Sequence, residues 1–383
     1  MAGLLDLPPE LLIRICEELG SGLKVYTDKE RQYDLARVSS VHSVLCHPAR
    51  SLLYSGSVNI RSAGRTFLLS QTLSENDELA ALVQTLVAKS ENDAGHTLSL
   101  ISILNHTPNL SSLTLSAVFF KDPPADLYTA LQAHTGLRTF SYGYRGFETP
   151  FENIVPLLPS YRHLKHLALD RICAIPPGRN PGSLLTQRDI RKWGPPPSYR
   201  LESFRMQNCR SIDTAGWPLS ALRWALGATN ALRSLALVSF DGAASLQDLF
   251  ALVAERGCTS SLERLTISVY RDGLSPDPTP FDPNSLAALF PALTHLSLMT
   301  NDDESSFSTP SPHLLFPPNL RVLELHDDLF HSWRLLEAIE TRGVPPSLRK
   351  IKLTGPFPTD PDVRALKWAC QDRGVAFEVE RAF

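Results

Sequence analysis

Two histidines, His163 and His166, stand three residues apart and are the first candidates for metal ligation in this chain. Both lie in a segment that reads as a strand, and no cysteine or carboxylate cluster accompanies them. Two acidic segments, Asp302-Asp303-Glu304 and Asp327-Asp328, follow predicted strands and carry carboxylates, which hard cations prefer. We favour solvated acidic loops over a cation site for these segments, and we expect no metal and no cofactor.

The short motifs of common enzyme classes do not occur. The sequence contains no GxGxxG, no GxxxxGK[ST] phosphate loop, no HExxH and no GxSxG. The cysteines form no CxxC pair, and we interpret them as reduced, buried thiols: Cys16, Cys46, Cys173, Cys209, Cys258 and Cys370. The sequence therefore predicts a protein that is not an enzyme.

The composition excludes several classes of protein. Lys plus Arg is 37 and Asp plus Glu is 40, and a net charge of −3 gives no general attraction for nucleic acid. No apolar run approaches the roughly 18 residues of a membrane span, and Asp6 and Glu10 oppose a secretory signal. We expect a soluble protein of the cytoplasm and/or nucleus. Its 30 prolines among 383 residues indicate many short elements with punctuated connections.

A repeated pattern, LxxLxL with any large apolar residue at the three marked places, organises most of the chain. Successive copies begin 27 to 37 residues apart, and a weaker copy at Val83/Leu86/Ala88 lies upstream in phase. The nine clear copies are Leu110/Leu113/Leu115, Leu137/Phe140/Tyr142, Leu164/Leu167/Leu169, Leu201/Phe204/Met206, Leu232/Leu235/Leu237, Leu262/Leu265/Ile267, Leu293/Leu296/Leu298, Leu320/Leu323/Leu325 and Leu348/Ile351/Leu353.

Each copy predicts a short strand whose apolar row must be buried by its neighbours. Residues two apart in a strand point to the same side, and one strand cannot bury that row alone, so stacked copies share a core. The intervals contain predicted return helices at residues 125–134, 151–158, 218–227, 243–256, 332–342 and 360–373. Strand, loop and helix repeated about every thirty residues are typical of leucine-rich repeats.

The predicted fold class is therefore α/β: a leucine-rich-repeat solenoid, with a curved parallel sheet and outer helices, preceded by a small all-α motif. We predict a helical motif over residues 1–55 and about ten irregular repeat units over residues 56–383. The solenoid should begin near Val58 and close with an edge strand at Val375–Val379. The longest interval contains a proline-rich insertion near residues 174–200, which should bulge from the solenoid. The ladder of asparagines that usually ties such turns together is absent.

The concave face of this predicted sheet is the candidate binding surface. The third, fifth and seventh positions of each unit should point outward, and in the middle and late units they carry polar and charged residues. This gradation suits a protein or peptide ligand, although an ordinary polar sheet surface remains open as an alternative. The candidate residues are His166, Arg205, Arg264, His295, Glu324, His326, Lys350 and Lys352.

The first fifty residues predict amphipathic helices in place of the repeat. Asp6 caps a first helix that tolerates Pro8 and Pro9 in its first turn. A second helix is predicted over residues 33–44, ending before Pro48. The apolar stripe of the first helix comprises Leu11, Leu12, Ile15 and Leu19, and that of the second comprises Leu35, Val38, Val41 and Leu45.

At these residues the chain resembles the F-box family, in particular fungal F-box proteins with leucine-rich repeats. The matching positions run from Leu4 to Tyr54. In the first helix they are Leu7, Pro8, Glu10, Leu11, Ile15 and Leu19, and beyond it Asp34, Leu35, Val38, Ser39, Leu52 and Tyr54. The resemblance implies that the apolar faces of these helices dock the Skp adaptor, with Leu7, Pro8, Glu10, Leu11, Ile15, Leu19, Leu35, Val38 and Val41 as the contact residues.

The resemblance further implies that the chain is the substrate-recognition subunit of an SCF (Skp–cullin–F-box) ubiquitin ligase, in which the repeats bind a protein substrate. The chain itself would perform no chemistry, and neither nucleic acid nor a membrane would be a partner. The alternative is a leucine-rich-repeat scaffold without any ubiquitin-ligase role, whose N-terminal helices merely cap the solenoid. Exposure of the Leu7–Leu19 stripe favours the first hypothesis, and its burial against residues 58–69 favours the second.

Overall fold

The computed structural model describes residues 7–21, 28–41, 43–88, 95–115, 124–143, 149–173, 191–207, 219–240, 246–269, 288–300, 317–326, 332–355 and 361–380. The chain forms two compact units. The first unit contains residues 1–147 and 160–164, and the second contains residues 148–159 and 165–383. The predicted boundary after residue 55 lies inside the first unit, and the prediction of one continuous solenoid stays a prediction.

The first unit combines helices with four parallel strands. Its strands pair in chain order, each with the next. They are β1 (Ser57–Ile60), β2 (Thr85–Ala88), β3 (Ser112–Leu115) and β4 (Thr139–Tyr142). Its helices are α1 (Pro9–Ser21), α2 (Asp28–Val41), α3 (Ser43–Ser55), α4 (Ala63–Ser74), α5 (Asp77–Leu82), α6 (Gly95–His106) and α7 (Ala125–Gln132).

The second unit contains eight strands that pair in parallel, again in chain order. A separate short pair joins β5 (Thr149–Pro150) to β7 (Ile172–Cys173). The eight strands are β6 (His166–Asp170), β8 (Ser203–Gln207), β9 (Ser234–Phe240), β10 (Arg264–Val269), β11 (His295–Thr300), β12 (Val322–His326), β13 (Lys350–Thr354) and β14 (Ala376–Glu380). The described helices are α8 (Leu219–Ala225), α9 (Leu246–Glu255), α10 (Ser332–Arg342) and α11 (Pro361–Asp372).

The repeat pattern predicts both the strands and their register. Every marked residue of the ten LxxLxL copies is buried. Marked residues also face each other across neighbouring strands, as Leu235 faces Leu265 and Leu265 faces Leu296. The predicted closing strand is present as β14, parallel to β13. It follows Gly374, whose φ of +69° in the left-handed region ends α11 as expected.

Side chains that precede the strands replace the missing asparagine ladder. Asn109 donates from Nδ2 to the Ala81 carbonyl at 2.8 Å, and Asn319 donates from Nδ2 to the Pro291 carbonyl at 2.9 Å. Ser261 and Ser347, at the same place in their copies, donate to the carbonyls of Leu232 and Leu320. The side chain of the residue just before the first marked leucine thus links each of these copies to the preceding copy. Its hydrogen bond satisfies a backbone carbonyl of that preceding copy.

Proline acts differently at two places in the chain. The predicted second helix is α2, which ends before Pro48 as expected. The predicted helix at residues 151–158 is replaced by short 3₁₀ turns at Phe151–Asn153 and Leu158–Ser160, since Pro156 provides no amide donor to continue a helix. Conversely, Pro48 does not end a helix but lies inside α3. Packing of Ala49, together with Leu52, against the neighbouring helices outweighs the single hydrogen bond that Pro48 removes.

The predicted insertion does not simply bulge outward. Residues 174–190 lie outside the described part of the chain, but its later part packs into the second unit. The Trp193 ring makes edge contacts with Phe151 and Trp224, at centroid distances of 5.4 and 5.5 Å. Tyr199 is fully buried and donates its hydroxyl to the Ala225 carbonyl. The aromatic side chains of this segment gain more from burial than its prolines lose in backbone bonding.

A buried histidine makes the first unit sensitive to acid. His134 donates from Nε2 to the Leu104 carbonyl at 3.0 Å, and burial lowers the pKa of His134. Because the unfolded chain then binds a proton more readily, stability should fall as pH decreases below about 6.5, the ordinary histidine pKa. We expect His134→Gln to lose less stability than the wild type between neutral and mildly acidic pH in urea titrations. Equal losses would contradict this assignment.

Candidate functional site

The N-terminal helices bury one side of α1 and expose another. Leu12 and Cys16, one helical turn apart, are buried, and Cys16 forms a core with Leu35 of α2 and Ala49 of α3. Leu11, immediately beside this buried line, keeps 44% of its surface exposed. The predicted stripe is therefore divided, because Leu12 is buried whereas Leu11 is exposed.

The other predicted adaptor contacts of α1 are partly accessible. Ile15 lies one turn after Leu11 on the same side and is half-buried. Leu7 is also half-buried, whereas Pro8 and Glu10 are exposed. The side chain of Leu19 lies outside the described part of the structure.

The predicted contacts of α2 differ in accessibility. Leu35 is buried in the three-helix core and therefore presents no free surface to a partner. Val38 packs against the same core, whereas Val41 is 73% exposed. The structure adds two exposed apolar residues that the sequence reading missed, Ile13 and Val44. Ile13 is two residues from Leu11, off the helical stripe, so amphipathic periodicity gave no signal for it.

The second candidate surface is the strand face, defined as the third, fifth and seventh positions of the repeat copies in the second unit. The strand register places Arg264 beside His295 and Glu324 beside Lys352. His166 and Arg205 are exposed on β6 and β8, away from these pairs in the strand order. His326 belongs to β12, but its side chain lies outside the described part of the structure.

Two of the predicted lysines are neutralised by glutamates of the last strand. Lys350 and Glu378 approach to 2.7 Å, as do Lys352 and Glu380. The hydrogen bond with Glu380 raises the pKa of Lys352, with burial acting in the opposite direction. Glu378 and Glu380 belong to the closing edge strand β14. Their ion pairs weaken this end of the strand face as a site for acidic ligands.

A second set of polar contacts lies around β6 and β8. Lys165 and Glu202, each just before its strand, form an ion pair of 2.6 Å, and this hydrogen bond lowers the pKa of Glu202. Arg205 donates to the Gln207 side-chain oxygen, also at 2.6 Å, so its guanidinium is held along its own strand.

No metal centre emerges from the described residues. Within the ranges that the structure describes, no group of three or more His, Cys, Asp or Glu side chains is arranged to hold a metal ion. His163 and His166 are both exposed, and the acidic segments at 302–304 and 327–328 lie outside those ranges. Among the described helices, none combines the length and apolar character needed to cross a membrane.

Comparison with known proteins identifies no relative of this chain among the families and curated proteins searched. No protein-family model matches the chain, and a search of the curated proteins finds no match. The residues and their geometry are therefore the basis for the functional argument.

Proposed function

We propose that this chain is the substrate-recognition subunit of an SCF ubiquitin ligase. In this proposal helices α1 to α3 dock the Skp adaptor, and the strand face of the second unit binds a protein substrate. The chain has no catalytic role. It acts by tethering, which raises the effective concentration of substrate lysines near the charged ubiquitin carrier.

One observation carries this proposal: apolar side chains remain exposed on all three helices after these have packed on each other. Leu11 and Ile13 of α1, Val41 of α2 and Val44 of α3 are exposed, although Cys16, Leu35 and Ala49 already form a shared core. Exposed apolar side chains that form one contiguous patch are typical of an interaction surface, and the proposal requires these side chains to form such a patch. The F-box resemblance covers these same helices and supplies the identity of the partner.

The experiment replaces an exposed anchor with a charge. Leu11→Asp should reduce co-purification with the Skp adaptor by about tenfold or more, because the carboxylate must be desolvated on docking. Val41→Asp provides a second test, at an exposed position that the F-box resemblance counts among the contacts. Ile15 is less suitable, because its half-buried side chain also contributes to the fold.

Leu68→Asp is the matched control. Leu68 of α4 is exposed, belongs to the same unit, and lies outside α1 to α3. The control should retain the adaptor and the wild-type melting temperature. Absence of adaptor binding by the wild-type protein, or equal binding by Leu11→Asp and Leu68→Asp, would refute the ligase proposal.

A second candidate function is a binding scaffold whose N-terminal helices are a cap. The observation that favours it is the packing of α3 against both α5 and β1, within one compact unit. A cap of this kind protects the open end of a sheet. This candidate predicts that deletion of residues 7–55 unfolds strands β1 to β4. Faster amide hydrogen exchange in those strands would show the unfolding.

A further inference from the structure

The residues that immediately precede strands β9 to β13 form a row along the N-terminal ends of these strands. In every member of the row but the last, the carbonyl accepts two amide hydrogens from the next copy: the Arg233 carbonyl from Glu263 and Arg264, for example, and the Thr294 carbonyl from Arg321 and Val322. This repeated bonding holds consecutive members of the row roughly 4.8 Å apart. In strand order the row is Arg233, Glu263, Thr294, Arg321 and Arg349.

An open groove of about 580 Å³ runs along the middle of this row. Arg264, His295 and Arg321 contribute its ionisable groups together with Glu263, and hydroxyl and amide side chains line the remainder. Its volume lies in the range of natural ligand sites, and most of its lining residues are polar or charged. The groove therefore suits a charged, hydrogen-bonding group better than an apolar molecule.

The electrostatics of the groove favour an anion. In the described part of the chain neither the Arg264 nor the Arg321 guanidinium has an ion-pair partner, unlike the lysines of β13. Burial lowers the pKa of His295, and the positive charges of Arg264 and Arg321 lower it further, whereas the carboxylates of Glu324 and Glu263 act in the opposite direction. Glu263 offsets one of the two guanidinium charges, and Arg233 and Arg349 lie on either side of the groove. Glu202, which lies beyond Arg233 at the far end, already forms an ion pair with Lys165.

The polar side chains of the groove are already held in place. The Thr294 hydroxyl donates to the Glu263 carbonyl at 3.0 Å and lies 2.9 Å from Nδ1 of His295. The Thr294 hydroxyl thereby links the His295 ring to the backbone of the preceding copy. The ring is therefore fixed next to Arg264 before any ligand arrives, which lowers the entropy cost of binding.

We propose that this groove binds the acidic side chains of an extended segment of a partner protein. Arg264 and Arg321 hold one carboxylate or phosphate through charge-assisted hydrogen bonds, the geometry for which the guanidinium group is suited. Arg233 and Arg349 attract further acidic residues of the same segment, because the row continues past both ends of the groove. This inference rests on the part of the proposed function in which the strand face binds a protein substrate. It does not depend on docking of the Skp adaptor.

Fluorescence anisotropy of labelled peptides on the full chain tests the proposal. A short peptide of alternating glutamate and glycine should bind, and the same peptide with glutamine should not. Binding should weaken as the salt concentration rises. A third peptide, with one phosphoserine in a glycine–serine background, identifies the source of the anion: tighter binding than the glutamate peptide assigns the groove to phosphorylated segments, and weaker binding assigns it to acidic runs.

Arg264→Gln and Arg321→Gln should each weaken binding of the better peptide by about tenfold, the cost of losing a hydrogen bond to a charged group. Arg364→Gln is the control, because this exposed residue of α11 lies in the same unit and its replacement removes the same charge. Equal losses for all three variants, or equal binding of the glutamate and glutamine peptides, would overturn the proposal. Leu11→Asp leaves this assay unchanged, so failure here and failure of adaptor docking are separable.

Discussion

Replacing Gly227 by alanine is expected to destabilise the second unit by about 2–5 kcal/mol. Gly227 follows α8 with φ of +58°, in the left-handed region that costs a residue with a side chain roughly 1–2 kcal/mol. A Cβ atom there would lie 2.6 Å from the Pro197 carbonyl oxygen and 2.9 Å from Cε2 of Tyr199. Since the carbonyl belongs to the backbone and Tyr199 is buried, neither moves easily, and overpacking adds roughly 1–3 kcal/mol.

Gly257 provides the control for backbone conformation alone. It follows α9 with φ of +75°, and a Cβ atom there would meet nothing within 4 Å. Gly257→Ala should therefore cost only the conformational term, about 1–2 kcal/mol. Urea unfolding followed by tryptophan fluorescence measures both variants, because Trp193 and Trp224 lie in the same unit. If Gly227→Ala is no less stable than Gly257→Ala, the close approach of residues 197–199 is wrong.

The repeat pattern was sufficient to predict the strands, because burial of an apolar row has a period that is visible in the sequence. Each marked residue has to face the core, and this requirement fixes both the strand and its register with the next. A strand without the pattern was harder: β1 has only Val58 and Ile60 as its apolar pair, and it was predicted only as the approximate start of the sheet.

Local signals were less reliable where tertiary packing competes with them. Pro48 predicts a helix end, yet the three-helix core continues α3 past it. The proline-rich interval predicts a protruding loop, yet Trp193 and Tyr199 are held inside the second unit. In both cases long-range apolar contacts, which the local sequence does not reveal, outweigh the backbone preference of proline.

The sequence predicts which residues of the candidate site lie on the outer face of the sheet, but not which of them form ion pairs with each other. Alternation along each strand correctly placed Arg264 and Lys352 away from the apolar core. It did not reveal that Lys352 binds Glu380 across the sheet while Arg264 has no such partner in the described ranges. Nor did it identify Arg321, because this residue lies just before strand β12, and alternation predicts side-chain directions only within a strand. Cross-strand pairing depends on register and side-chain direction, which a single strand's sequence does not contain.

The last prediction tests the strand phase on which the strand face and the groove depend. Leu235 of β9 is 1% exposed and lies between Phe204 of β8 and Leu265 of β10 in the register. Leu235→Ala should leave a cavity among these neighbours and destabilise the second unit by about 2–5 kcal/mol.

Ser234→Ala is the matched substitution on the opposite side of the same strand. Ser234 is half-buried, and its backbone amide bonds the Glu202 carbonyl in either variant, so the change should cost no more than about 0.5 kcal/mol. The urea midpoint of each variant gives the comparison. Equal losses would mean that Leu235 does not face the shared core. The third and fifth positions would then not form a common outer surface, and the groove around Arg264 would lose its structural basis.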